Sequence, residues 1–461
     1  MPRRQASIEP LRDTVSAAVR QSVQLFQTHF DDRRINTIEH GGACIGVALP
    51  ALSLEYLLDT NIWPLGRVVQ LNGLQSSMKS AFAFELSRIF REHSGATWYH
   101  EVEGKFSETL CRSVIGWGAD TAFVRDPCDS MDAWQQHVTL TLRTIREIMD
   151  GKGKRERGTG RTWPVLEVID SLTAKNLTAS DDRIDKAGFA SAAHPAEAGS
   201  ITKFMKRLQR VLDHYPISMV IINHLKLQEN PNGPQPIRHT PGGKHVAFQE
   251  SLEIEFTRIG HVEQVDKEGL DVKLRVRKNA LGSPDRSIVA PIRWWTAPAI
   301  DAQAGKKPVS RQRTVWDWYT ATTKLLINDK LVRRTAVREV IDVRTAKGGK
   351  FWSKRLRISK DAPVSAQAFG KAIQRNTEVL RELRQVFGIK MRPVLDSRIG
   401  YAKQQATARA LIDEELEKTD AAIETQEVEV GSSAGPRASR SAAGAKPAGT
   451  VRRKRARTPS S

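Results

Sequence analysis

Between Gly66 and Arg293 short β-branched runs alternate with stretches of helical periodicity, and no other feature restricts the fold of this chain as strongly. Arg67–Leu71, Ala96–His100, Val165–Ile169 and Met219–Ile222 read as buried strands, with helical patterns over 80–92, 131–150 and 199–213 between them. Strands separated by helices do not close as hairpins, so the rhythm predicts an α/β domain with a mostly parallel sheet. Over 251–295 the pattern turns to alternation, as in Val272-Lys273-Leu274-Arg275-Val276-Arg277, which predicts an antiparallel extension. Beyond it, 313–327 and 363–387 look helical.

The first strand runs into Gly73-Leu74-Gln75-Ser76-Ser77-Met78-Lys79-Ser80 and then the apolar helix start Ala81–Leu86. In position and context this matches a phosphate-binding loop whose second glycine is replaced by Met78. Successive backbone N–H groups and a helix N-terminus favour an anion there. Lys79 would reach the phosphates and the Ser80 hydroxyl would bind Mg²⁺. A side chain at position 78 predicts ordinary backbone angles in place of the glycine conformation. Alone, the motif is matched equally by a strand–turn–helix connection of incidental sequence.

Polar residues follow the other strands. Val165–Ile169 ends in Asp170, placed as a Walker B carboxylate, where a helix cap is the common alternative. Thr97–His100 leads to Glu101 and Glu103, of which a carboxylate could orient or deprotonate water, and Val220–Ile222 delivers Asn223 and His224. The carboxyl ends of parallel strands are where α/β folds bind ligands.

In motif order the chain resembles the RecA family of recombinases. The resemblance covers roughly residues 45–295 and rests on Leu52–Leu58 with Pro64–Val69, on Val220–His224 followed by Thr240–Phe248 and Glu253–Gly260, and on Val276-Arg277-Lys278-Asn279. Met78 and His224 are similar to the bacteriophage, UvsX-like branch. The resemblance implies a RecA-like P-loop ATPase core using ATP and Mg²⁺. Gly73 through Ser80 and Asp170 would hold nucleotide, with Ser80 and Asp170 at the metal. Glu103 would position water and His224 would sense the γ-phosphate. Lys278 would reach into a neighbouring subunit's site, while the family's second lysine there is Ala280. The family's adenine-stacking aromatic falls near Leu110. Loops 175–199 and 225–243 would face single-stranded DNA, with Lys226, Arg238 and Lys244 on phosphates. An amphipathic helix over 10–30 would dock on the adjacent protomer.

Charge separates the ends of the chain. The 461 residues carry a net +20, but 305–395 hold +15, 396–430 hold −5 and 431–461 hold +8. The +15 block implies a nucleic-acid partner, double-stranded DNA in this setting, against the alternative of a solvated basic surface. Within it Lys347–Arg355 is basic with aromatics, and Lys350, Lys354 and Arg355 are candidate contacts. Domains are expected at 1–44 (helical, oligomerising), 45–300 (ATPase core), 305–395 (small, basic, winged-helix-like or an irregular helical pair), 396–430 (acidic, helical) and 431–461 (disordered basic tail). No segment has the length of apolar sequence a membrane span needs, and Met1–Gln5 does not open a signal peptide, so a cytoplasmic location is expected, the host cytoplasm if phage-encoded. Cys44, Cys111 and Cys128 lie far apart and indicate neither a disulfide framework nor a zinc site. The expected function is an ATP-dependent recombinase forming filaments on single-stranded DNA; a RecA-fold helicase and a non-hydrolysing DNA-binding scaffold are the alternatives.

Overall fold

The computed structural model describes residues 44–116, 122–128, 130–149, 162–172, 194–228, 237–239, 246, 249–264, 267–297, 311–334, 340–342, 356, 364–399 and most of 401–410. In chain order the elements are β1 (Gly46–Ala48), α1 (Leu52–Leu58), β2 (Ile62–Pro64), β3 (Arg67–Gly73), α2 (Lys79–Glu92), β4 (Ala96–Glu101), α3 (Glu108–Ile115), β5 (Phe123–Pro127), α4 (Met131–Met149), β6 (Val165–Asp170), α5 (His194–Leu212) and β7 (Ile217–His224). They continue with β8 (Lys226–Gln228), β9 (Ile237–His239), β10 (Leu252–Gln264), β11 (Lys267–Asn279), β12 (Ser287–Ala297), β13 (Arg311–Trp316), α6 (Trp318–Asn328), β14 (Arg333–Arg334), β15 (Val340–Asp342), β16 (Val364–Ser365), α7 (Ala366–Arg375) and α8 (Thr377–Val386).

A nine-stranded sheet runs in the order β13-β12-β11-β10-β3-β7-β6-β4-β5. The strands from β10 to β5 are parallel to their neighbours, and β11, β12 and β13 add antiparallel pairs, as the change to alternating sequence predicts. Side chains leave a strand to opposite faces, so each parallel strand feeds two cores. Val69 and Leu71 of β3, Leu166 and Val168 of β6, and Val220 and Ile222 of β7 pack with Phe82, Phe84, Leu86 and Phe90 of α2. Val68, Val165, Ile169, Met219 and Ile221 pack on the other face with Trp134 and Val138 of α4 and Phe204, Met205 and Leu208 of α5. Both faces are therefore covered, which is why β6 and β7 are buried along almost their whole length.

Helix α2 is buried on nearly all sides. Its outer side meets Trp316 and Trp318, whose rings stack 5.1 Å apart; Trp318 Nε1 donates to Glu85 Oε1 at 2.8 Å and Trp316 Nε1 to the Ala81 carbonyl at 3.3 Å. This explains a difference from the helix expected over 313–327. Arg311–Trp316 instead pairs along β12 as the sheet's edge, and the helix begins only at Trp318, where the Asp317 side chain accepts from Thr320 N–H at 3.0 Å. A strand there places Trp316 on Phe82, centroids 5.4 Å apart. The helix expected over 363–387 is two helices, split at Asn376, which caps α8 through Val379 N–H.

Phe369, Ile373, Val379, Leu380 and Leu383 of α7 and α8 form a core with Leu52 and Leu326. A Cβ at Gly370 would lie 2.0 Å from the Tyr319 carbonyl oxygen, so this crossing of α7 over α6 requires glycine. Arg384 clamps the buried Glu55 with two hydrogen bonds, Nε at 2.7 Å and NH2 at 2.6 Å. Strands β14, β15 and β16 form a small antiparallel sheet in the same region. The helix expected over 10–30, the Lys347–Arg355 segment and the tail lie outside the described residues. Among the described residues no helix is long and apolar enough to cross a membrane.

Candidate active site

Strand β3 ends at Gly73, where an added Cβ would sit 2.5 Å from Ser77 Oγ and 2.7 Å from the Phe256 carbonyl oxygen, so the loop's tight departure requires glycine. Two non-glycine residues of the loop take left-handed angles, Ser76 (φ 59°) and Met78 (φ 72°). Ordinary angles were expected at Met78; instead it keeps the glycine-like conformation directly before α2, at a cost on the order of 1–2 kcal/mol. Its side chain packs against the core below α2, which offsets part of that strain. Lys79 is buried, and its ammonium donates to the carbonyls of Gly73 (3.0 Å) and Leu74 (2.8 Å) and to Ser77 Oγ (3.3 Å). Burial lowers the Lys79 pKa to about 8, against the opposing pull of Asp170 and Glu103.

Strand register brings the remaining polar residues to the same edge. Gly73 lies opposite His224, and Asp170 lies between Ile222 and Glu101. Ser80 Oγ donates to Asp170 Oδ2 at 2.6 Å, and the Tyr99 hydroxyl donates to the same oxygen. Burial raises the Asp170 pKa. Glu103 accepts from Ser171 Oγ at 2.6 Å and from His224 Nε2, with Lys105 Nζ at 3.6 Å from its other oxygen. The His224 hydrogen bond, opposed by partial burial, holds the Glu103 carboxyl down at about 2. His224 Nδ1 lies 3.4 Å from Lys79 Nζ, so the imidazole bridges the loop lysine and the carboxylate. These groups line one cleft of about 230 Å³ together with Phe84, Phe106 and Leu110.

No protein-family model matches the chain. It is 23% identical to protein RecA of Chlamydia pneumoniae over 268 residues, covering 58% of this chain and 66% of that protein. Against protein RecA of Bartonella bacilliformis it is 22% identical over 246 residues, 52% of this chain and 63% of the relative. Against that of Aquifex pyrophilus it is 23% identical over 235 residues, 51% and 61% of the two chains. The matches support membership of the RecA family. With the parallel sheet and its flanking helices they give a RecA-like α/β core, and the chain spans about two thirds or less of the length of these relatives.

On this RecA-like core the cleft includes groups that sequence reasoning passed over. Tyr99 looked like one more apolar residue of a buried strand, yet its hydroxyl reaches Asp170. Phe106 lines the cleft near Leu110, with the Arg125 guanidinium 4.6 Å above its ring. Arg125 NH2 also donates to Glu101 Oε2 at 3.0 Å, and Glu101 accepts from Lys105 N–H, so Glu101 braces the loop that carries Glu103.

Three expected positions lie apart from the cleft. Lys278 sits at the end of β11 opposite Glu253, which pairs with Gln70, three residues before Gly73. Lys226 and Arg238 fall on a hairpin of β8 and β9 that leaves the cleft immediately after His224. Leu225 N–H donates to the Gly73 carbonyl at 3.1 Å, fastening the root of that hairpin to the phosphate loop. Lys244, Lys350, Lys354 and Arg355 lie outside the described residues.

Proposed function

We propose that this chain is an ATP-dependent DNA recombinase that assembles into helical filaments on single-stranded DNA and pairs the bound strand with homologous duplex. The observation that carries the proposal is the bridge from Lys79 through His224 to Glu103, with the β8–β9 hairpin rooted beside it. The phosphates of ATP would lie against the loop N–H groups of 74–79 at the start of α2, where the Lys79 ammonium supplies the counter-charge. Ser80 Oγ and Asp170 Oδ2 are hard oxygen donors set 2.6 Å apart, a pair that suits Mg²⁺. Mg²⁺ held there would neutralise charge on the phosphates. Glu103, kept ionised by His224 and Ser171, would orient the attacking water.

His224 would report the γ-phosphate to the hairpin, on which Lys226 and Arg238, with Lys244 beyond it, contact the phosphates of single-stranded DNA, and Leu227 or Ile237 separates bases. Lys278 would act in the neighbouring subunit's site, supplying positive charge to the transferring phosphoryl group. Lys350, Lys354 and Arg355 would hold double-stranded DNA. Met78 and His224 favour the bacteriophage, UvsX-like branch, and with it the host cytoplasm.

Phosphate release from ATP, measured with and without single-stranded DNA, tests this proposal. DNA-stimulated hydrolysis is expected, with Lys79→Ala abolishing nucleotide-dependent assembly and Glu103→Gln binding ATP while turning over orders of magnitude more slowly. Parental hydrolysis in Glu103→Gln would remove Glu103 from the water-positioning role.

A further inference from the structure

Behind the cleft, on the opposite face of β4 from Tyr99, a second group of titratable side chains comes together where β4, β5 and α4 meet. His100 is fully buried. Its Nδ1 lies 2.6 Å from Asp126 Oδ2 on the neighbouring strand, and its Nε2 lies 2.6 Å from Glu167 Oε1. Cys128, just past β5 and 2% exposed, places Sγ 3.7 Å from Asp126 Oδ2 and 3.6 Å from His137 Nδ1 of α4. His137 Nδ1 is in turn 2.9 Å from both Asp126 oxygens. Ligand atoms of His100, Asp126 and Cys128 all lie within 4.8 Å of one another.

We propose that His100, Asp126 and Cys128 hold a zinc ion, with His137, which lies beside Asp126 and Cys128 but outside that group of three, turning in as the fourth, tetrahedral ligand. Zn²⁺ takes four ligands at about 2.0–2.3 Å, which sets neighbouring ligand atoms about 3.3–3.8 Å apart. Both sulfur distances already have that spacing. The closer nitrogen–oxygen pairs are hydrogen bonds that would open by less than about 1 Å as their lone pairs turn to the ion. One thiolate, two imidazoles and one carboxylate select zinc over the oxygen-loving Mg²⁺ and Ca²⁺.

Glu167 is the independent observation that favours a metal. It is completely buried, accepts from His100 through Oε1, and its Oε2 has no hydrogen-bond partner among the described residues. A buried carboxylate at the far nitrogen of a histidine is the usual support of a metal-bound imidazole, fixing Nδ1 as the ligand. The divalent charge would take the place of the proton that the imidazole shares between Asp126 at Nδ1 and Glu167 at Nε2.

Coordination deprotonates Cys128, and its proton passes to solvent. The ion ties the edge strand β5 and the helix α4 to β4, whose end carries Glu101 in contact with Arg125 of β5. The ligands are spread over 38 positions as His100, Asp126, Cys128 and His137, without a CxxC pair, which is why a sequence scan gives no zinc signal. This inference is independent of the recombinase proposal.

The full-length protein tests it by elemental analysis and by replacing the native metal with Co²⁺. About one zinc per chain is expected. The cobalt form should show a thiolate-to-metal charge-transfer band in the near ultraviolet and the intense visible bands of a tetrahedral ion. Cys128→Ser should abolish the charge-transfer band, whereas Cys44→Ser and Cys111→Ser should retain it. His137→Gln changes a side chain that is 43% exposed, so the variant folds, as circular dichroism would verify, yet should lose the tetrahedral bands. A parent without zinc and without the cobalt bands would overturn the site, as would bands that survive Cys128→Ser and His137→Gln or that vanish in Cys111→Ser.

Discussion

His224 Nε2 donates a hydrogen bond to Glu103 Oε1, joining the end of β7 to the loop after β4. That bond is the main reason the Glu103 carboxyl stays ionised down to about pH 2. On the other side of the ring Nδ1 faces Lys79, so whatever draws Lys79 toward a phosphate alters the contact that holds Glu103.

His224→Ala should therefore leave ATP binding measurable while DNA-stimulated hydrolysis falls about tenfold or more. The sign of the pH effect follows from the direction of the shift. A depressed carboxyl loses its ionised form only as pH falls through its lowered value, so without His224 the acid limb of the rate profile should move to higher pH. Phosphate release measured from pH 4 upward checks this, and an acid limb that does not move would separate the two residues.

Met78 occupies left-handed backbone at the N-terminus of α2, so substitutions there should sort by backbone tolerance, not by size. Met78→Gly should retain the fold and nucleotide binding. Met78→Ile, β-branched in a conformation that such residues avoid, should lower stability by more than about 1 kcal/mol. Thermal denaturation of the two variants gives the comparison. Equal midpoints would show that the loop relaxes out of this conformation.

Glu250 is buried near Glu253, and burial followed by that like charge pushes its carboxyl up to about 8 despite the pull of Lys278. A folded-state value raised above the unfolded one means that the native protein binds the extra proton, so this contribution is full below pH 4.5 and is lost as pH rises toward 8. Glu250→Gln should consequently be more stable than the parent at pH 8, by ~1 kcal/mol or more, and closest to it near pH 5. Urea denaturation at the two pH values checks the difference, and a constant offset would contradict it.

A fourth test crosses between subunits. Lys278 lies well below the loop edge of its own sheet, so a role for it at the phosphates requires a neighbouring copy. Lys278→Ala should depress hydrolysis, and mixing it with Lys79→Ala should restore a fraction, because one class of interface then has both residues intact. Activity in the mixture equal to the average of the separate proteins would place Lys278 outside the composite site.

Much of this arrangement is legible in the sequence because the parallel core obeys local rules. A run such as Val165–Ile169, apolar but for Glu167, favours a strand covered on both faces, and a glycine such as Gly73 before Lys79-Ser80 marks the turn into α2. What is hidden depends on distant partners. Arg311–Trp316 has a pattern suited to either element, and only the open edge of β12 and the ring of Phe82 make it a strand. Tyr99, Phe106 and Arg125 acquire roles through residues up to 71 positions away, as Tyr99 does with Asp170. Met78 reverses its expectation because the strain is local while the compensation, contact with the core and the start of α2, is tertiary.

Electron microscopy of the full chain on single-stranded DNA with a non-hydrolysable ATP analogue tests the central claim most directly. Continuous helical filaments are predicted for the parent and for Glu103→Gln, and none for Lys79→Ala. Closed rings would point to a helicase instead, and filaments of the same kind in Lys79→Ala would contradict nucleotide-controlled assembly through this cleft.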